Sequence, residues 1–141
     1  MHSIFDLDRF ISAQENQYHQ ALSEIKNGQK GSHWMWFVFP QIDGLGFSNM
    51  TVKYAIKSRD EAIAYLHHSV LGPRLREITE ALLEVKGKSA LEIMGSPDYL
   101  KLKSCMTLFA LVSNENSLFQ RVLDKYFGGK LDEQTIDLLE K

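Results

Sequence analysis

Cysteine is almost missing from this chain. Cys105 stands alone among 141 residues, which excludes an internal disulfide and any zinc site built from several cysteines. Excess charge is missing too, since 16 Lys and Arg against 18 Asp and Glu leave a formal net charge of −2. So balanced a chain exerts no general attraction on nucleic acid or an anionic membrane, and its basic residues are dispersed among acids rather than gathered in a stripe. No nucleic-acid partner and no membrane partner are expected. The longest strongly apolar run, Trp34 to Phe39, is far too short to span a bilayer. Met1-His2-Ser3-Ile4-Phe5-Asp6 lacks the basic segment and apolar core of a secretory leader. These absences predict a cytoplasmic protein with a reduced thiol. Repeats, low-complexity tracts and Pro/Gly/Ser-rich linkers are also absent, so residues 1–141 read as one domain. Gly44-Leu45-Gly46 lacks the third glycine and the preceding strand of a dinucleotide fingerprint, and no Walker lysine pattern occurs. No cofactor and no metal site are implied.

What the chain does have is an ordinary globular composition, 44% hydrophobic and 24% charged, at a length sufficient for a hydrophobic core. Its most distinctive feature is His33-Trp34-Met35-Trp36-Phe37-Val38-Phe39-Pro40-Gln41, which holds both tryptophans and two of the eight phenylalanines. Aromatic side chains bury roughly 150–250 Å² each. This block therefore lies inside the protein or against something else, and the polar residues at its ends are either satisfied core groups or the lining of a site.

Helical spacing dominates the rest. Leu7, Phe10, Ile11, Tyr18, Leu22 and Ile25 share one face, predicting a single helix from Leu7 to Ile25 with Asp6 as its cap. Ser58-Arg59-Asp60-Glu61 and Ser89-Ala90-Leu91-Glu92 each match a capping box. Further helices are predicted from about Val70 to Val85, from Ser96-Pro97 to about Val112 with Ser96 as N-cap, near Ser117–Phe127, and near Glu133–Glu140. Ser32 favours a short helix in the aromatic block, and Gln41 to Asn49 is the one substantial loop. The fold class is mainly α, a single compact irregular helical domain.

Projection of these helices picks out polar residues on apolar faces. Gln14 lands within the first stripe, whereas Arg9 projects to solvent. Arg76 projects outward toward Glu80 one turn on. Arg74 sits at the edge of a buried stripe and needs an acceptor: a carboxylate, backbone carbonyls or an anionic ligand. The Ser96–Val112 helix is apolar almost all round, with one polar strip of Lys103, Ser104 and Thr107. For the two hydroxyls the simplest role is a bond to the carbonyl one turn back. Lys101 falls among apolar residues in the first turn, where it can snorkel outward. His67-His68 diverge on a helix and make a poor metal site, and Cys105 reads as buried and inert.

Asp6-Leu7-x-Arg9-Phe10, Ala13-Gln14, Tyr18, the block from His33 to Gln41, Gly44-Leu45-Gly46, Ser48, Tyr54-Ala55-Ile56, Leu71-Gly72-Pro73-Arg74-Leu75 and Met106-Thr107-Leu108-Phe109 together carry a resemblance. The chain resembles a bacterial domain-of-unknown-function family often labelled "calpastatin" in genomes. Calpastatin inhibitory regions are long, disordered and polar, unlike this chain. The resemblance implies a compact, mainly helical single domain and no particular reaction. It differs from the family pattern at Ser69, where Pro is usual, and at Cys105, where Ser is usual.

Two functional readings follow. The first places Gln14, Tyr18, His33, Trp34, Trp36, Gln41, Ser48, Arg74 and Lys103 around one pocket between the first helix, the aromatic block, its loop and the Ser96–Val112 helix. Aromatic faces with an Arg and amides suit a small anionic, nucleotide-like molecule. Were it an enzyme, His33 is the best general acid/base and Arg74 the anion anchor, although no nucleophile–base–acid set is visible and the reaction stays open. The second reading is a non-catalytic interaction module that presents the aromatic block to a protein partner.

Overall fold

Short apolar stripes separated by polar caps produce short helices, and this chain folds into many of them. A computed structural model describes residues 5–114 and 116–140; the leader reading of Met1-His2-Ser3-Ile4 lies outside them. Ten helices form among the described residues: α1 (Asp8–Gln14), α2 (Tyr18–Lys26), α3 (Met35–Val38), α4 (Asn49–Lys53), α5 (Arg59–His67), α6 (Leu71–Glu84), α7 (Ala90–Met94), α8 (Asp98–Leu111), α9 (Leu118–Phe127) and α10 (Glu133–Glu140). No strand accompanies them among the described residues. A single parallel bridge pairs Ile42 with Ile56.

Local chemistry accounts for most boundaries. Ser48, Ser58, Ser89 and Ser117 each accept a bond from a first-turn backbone N–H, satisfying one of the donors a helix start leaves free. Ser89 and Glu92 complete the reciprocal box. Glu61 instead reaches one residue further back, to Lys57 N at 2.7 Å. His68 starts α6, its Nδ1 accepting from Val70 N and Leu71 N at 3.1 and 3.3 Å.

Several expectations are corrected: Leu7 rather than Asp6 immediately precedes α1, and no side chain caps it. The predicted Leu7–Ile25 helix is two helices, broken at the polar run Glu15-Asn16-Gln17. That break lets Gln14 end one helix inside the core and Tyr18 begin the next. Ser96 does not cap α8; Pro97 precedes it and Asp98 is its first-turn acid, complementing the helix dipole. Ser32 does not start α3, which follows Trp34 directly, and its hydroxyl bonds the Glu24 carboxylate at 2.6 Å.

Helix α8 is central because it is apolar almost all round: α5, α7, α9 and α10 pack against it, while α6 packs on α2, α5 and α9. Leu102, Cys105, Met106, Leu108 and Phe109 of α8 are fully buried. They join Phe10, Trp34, Phe39, Tyr65, Leu75 and Ile78 in one cluster, where each large side chain contributes roughly 1.5–3 kcal/mol by leaving water. Packing is closest at Gly72, where a Cβ would collide with the Leu66 backbone carbonyl. Only glycine fits there.

Candidate functional site

The aromatic block is core. Trp34 is fully buried, Met35, Phe37, Val38 and Phe39 are nearly so, and Trp36 is half-buried. The flat exposed aromatic patch that a partner surface over Trp34 and Trp36 requires is therefore missing, because the rings face one another and the helices: Phe39 lies 6.0 Å from Trp34, and Phe37 lies 5.3 Å from Tyr54. The Trp34 indole N–H donates to Glu24 at 2.8 Å. The same carboxylate accepts from Gly31 N, Ser32 N, Ser32 Oγ and Gln20 Nε2. Partial burial opposes its charge, yet the bonds from Ser32, Gly31, Trp34 and Gln20 outweigh that and lower its pKa to about 2.

The nine candidate residues fall in separate places. Gln14, Tyr18 and Arg74 form an internal knot. Gln14 is buried, and its amide donates to Phe37 O at 2.7 Å and Tyr65 Oη at 3.1 Å. Its carbonyl oxygen accepts from Arg74 Nη1 at 3.5 Å. Tyr18 donates its hydroxyl to Glu77 Oε1 at 2.5 Å, 2.9 Å from the Arg74 carbonyl, while the Arg74 guanidinium lies over the Tyr18 ring at 5.2 Å. Burial, reinforced by the bond to Glu77, pushes the Tyr18 pKa up, and burial raises that of Tyr65. Arg74 thus meets its demand for acceptors with an amide oxygen and a ring. His33 is exposed, and Ser48 is exposed as the cap of α4, its Oγ accepting from Thr51 N at 3.2 Å.

Arg9 corrects the surface reading. Its guanidinium donates to Lys53 O at 2.9 Å, Ala55 O at 2.7 Å, the Asp6 carbonyl, and Glu61 Oε2 at 2.9 Å. The ion-pair side chains are 11% and 2% exposed. The helix projection missed this because α1 is only two turns long and its outward face is covered by the 53–57 segment. Arg76 likewise donates to Leu66 O at 3.1 Å instead of pairing with Glu80.

Gln41 and Lys103 do come together. Both line a half-open groove of about 290 Å³, bounded by Leu45, Gly46 and Thr51 of the long loop and α4, by Pro97, Leu100 and Lys101 at the start of α8, and by Asp132 and Gln134 at the start of α10. The first helix takes no part in it. The loop is held in place by close contacts. Gly44 has φ +107° and leaves only 3.0 Å between a would-be Cβ and Leu138, so glycine is required on both counts.

Two lysines and one carboxylate, Asp132, line the groove. Lys103 has no carboxylate partner among the described residues, and Lys101 Nζ lies 3.7 Å from Asp98 Oδ1, whose other oxygen holds Lys30 at 2.9 Å. Asp132 is occupied elsewhere: its Oδ2 accepts from Thr135 N, Thr135 Oγ1 and Ser104 Oγ at 3.1, 2.6 and 3.2 Å. Lys101 Nζ also stands 5.6 Å from the centre of the Trp36 ring, and Trp36 itself does not line the groove. Lys101 and Gln134 were missed as site residues. Lys101 carried a signal, a cation within an apolar run, but Gln134 is distant in sequence and carried none.

The groove's lining combines two ammonium groups, one carboxylate, two primary amides and an apolar wall of Leu45, Pro97 and Leu100. Ser104 and Thr107 bond Leu100 O and Lys103 O one turn back, and Thr107 Oγ1 also accepts from Asp132 N at 2.8 Å. Burial raises the Cys105 thiol pKa well above its usual value, keeping it protonated. Among the described residues, no three His, Cys, Asp or Glu side chains converge to hold a metal ion, and no helix is long and apolar enough to cross a membrane.

No curated protein matches the chain. The crystal structure of the conserved hypothetical protein Rv1873 from Mycobacterium tuberculosis is similar to it, at 50% identity over 99% of each chain and a TM-score of 0.96. Residues 4–139 match the model of the family described as "Protein of unknown function (DUF1810)". The chain belongs to the DUF1810 family.

Proposed function

We propose that this protein binds a small anionic, nucleotide-like ligand in the groove between the 41–51 loop and α8. The observation that carries the reading is Lys103, a half-buried cation that lines a concavity and has no carboxylate partner among the described residues. A cation held without a counter-charge stands ready to receive one. Lys101 adds a second ammonium, Gln41 and Gln134 supply amide donors and acceptors, and Leu45 and Leu100 offer an apolar wall to a planar moiety. Gln14, Tyr18 and Arg74 support the site indirectly, by fixing α1, α2 and α6 around the aromatic block.

Thermal-shift titration with adenosine monophosphate tests this. The nucleotide raises the wild-type melting temperature, and Lys103→Ala weakens the response at least about tenfold, as loss of a charge-assisted bond worth about 1.5–3 kcal/mol requires. The unliganded variant melts close to wild type, because Lys103 forms no ion pair among the described residues. Equal responses from both proteins would remove the groove as the site.

A further inference from the structure

The groove does not end at Gln134. A second hollow of about 640 Å³ adjoins it, lined by Lys103, Lys130, Leu131, Asp132, Gln134 and Ile136 together with Glu133. Lys103, Asp132 and Gln134 border both, so the two are lobes of one trough that passes the start of α10. The first lobe alone sits at the small end of the roughly 300–1,000 Å³ range typical of ligand pockets, and the pair together lies toward the large end.

Charge runs along the trough in sequence: Lys101 in the first lobe, Lys103 at the junction, Lys130 in the second. The acids nearby offset it only in part: Lys101 pairs with Asp98 at 3.7 Å, whereas Lys103 and Lys130 form no ion pair among the described residues. Asp132 borders both lobes and commits one carboxylate oxygen, Oδ2, to capping α10 and holding Ser104. Glu133 is exposed and forms no ion pair with Lys130 among the described residues. Three ammonium groups spaced across two connected hollows are matched by a ligand whose negative charge is itself extended.

We infer that the trough takes a diphosphate-bearing ligand of the nucleoside diphosphate class. Its planar group lies against Leu45 and Leu100, one phosphate meets Lys101 and Lys103, and the other reaches past the junction to Lys130. This rests on the anion-binding reading above and adds the length and charge of the ligand.

The test is calorimetric titration of the full chain with adenosine monophosphate and adenosine diphosphate, in wild type, Lys103→Ala, Lys130→Ala and Lys86→Ala. Lys86 is exposed and outside the trough, so its variant controls for diffuse charge. The diphosphate binds wild type about tenfold more tightly than the monophosphate. Lys130→Ala removes that advantage and leaves monophosphate binding unchanged; Lys86→Ala changes neither. Equal affinity for the two nucleotides, or equal weakening of both by Lys130→Ala or by Lys86→Ala, overturns the two-lobe inference while leaving the first lobe standing. If neither nucleotide binds, or Lys103→Ala binds both as wild type does, the anion-binding reading falls with it.

Discussion

Arg9 shows how one side chain can hold distant segments together. Its guanidinium gathers the carbonyls of Asp6, Lys53 and Ala55 and the carboxylate of Glu61, which in turn accepts Lys57 N. Both members of the ion pair are nearly sealed from water. Removing one leaves the other buried and uncompensated, an effect of about 3–5 kcal/mol. Arg9→Ala and Glu61→Ala are each expected to lower urea-denaturation stability by that order. The double variant should fall short of the summed losses by at least about 1 kcal/mol, since the second substitution removes a charge already orphaned. Strict additivity would show that the pair contributes nothing beyond its separate backbone bonds.

Among the elements, α10 is held by polar ties to α8 as well as by apolar contact. It is eight residues long and buries Thr135 and Leu139. Its start is tied to α8 by Asp132 N to Thr107 and by Ser104 to the Asp132 carboxylate. That explains the polar strip on an otherwise apolar α8: each hydroxyl returns to its own helix and also grips the next one. Asp132→Ala removes the cap of α10, at a cost of about 0.5–2 kcal/mol, and frees its carboxylate tie. Amide hydrogen exchange across 136–140 should accelerate while α8 keeps its protection. Unchanged exchange would mean that Leu139 alone seats the helix.

For the whole molecule, acid stability follows from Glu24, whose carboxylate gathers α2, the 31–32 turn and the buried Trp34. Its pKa is about 2 in the folded protein against an ordinary 4.5. The stabilisation it supplies is therefore fully present above pH 4.5 and is lost as pH falls from there toward 2. Denaturation of wild type and Glu24→Gln from pH 2 to 7 should give curves separated by on the order of 1–2 kcal/mol at neutral pH, allowing for solvent screening, and converging at the acid end. A constant separation would assign the Glu24 contribution to hydrogen bonds insensitive to its charge.

Much of the fold was legible in the chain because its causes are local. The serine caps at Ser58 and Ser89 and the spacing of apolar residues in α6, α8 and α9 act within a few residues, whereas the break between α1 and α2 was not read from the chain. The area of the aromatic block required it to be covered, by the protein's own core or by a partner, and the structure places it in the core. The site was legible only in pieces. Gln41 and Lys103 were recognisable as polar groups out of place, but Gln14 and Arg74, marked by the same criterion, bond to each other. Helix projection says that a polar group faces inward; it does not say what waits there.

Sequence by itself determined most of the helices, several of their caps and which apolar faces had to leave water, since propensity, capping and apolar periodicity are set by neighbours in the chain. Tertiary structure alone decided which inward-facing polar groups found partners and which were left bordering open space. That choice depends on where α8, α10 and the 41–51 loop meet, and their meeting is fixed by contacts such as Gly44 against Leu138 and Thr107 against Asp132, between residues far apart in the chain.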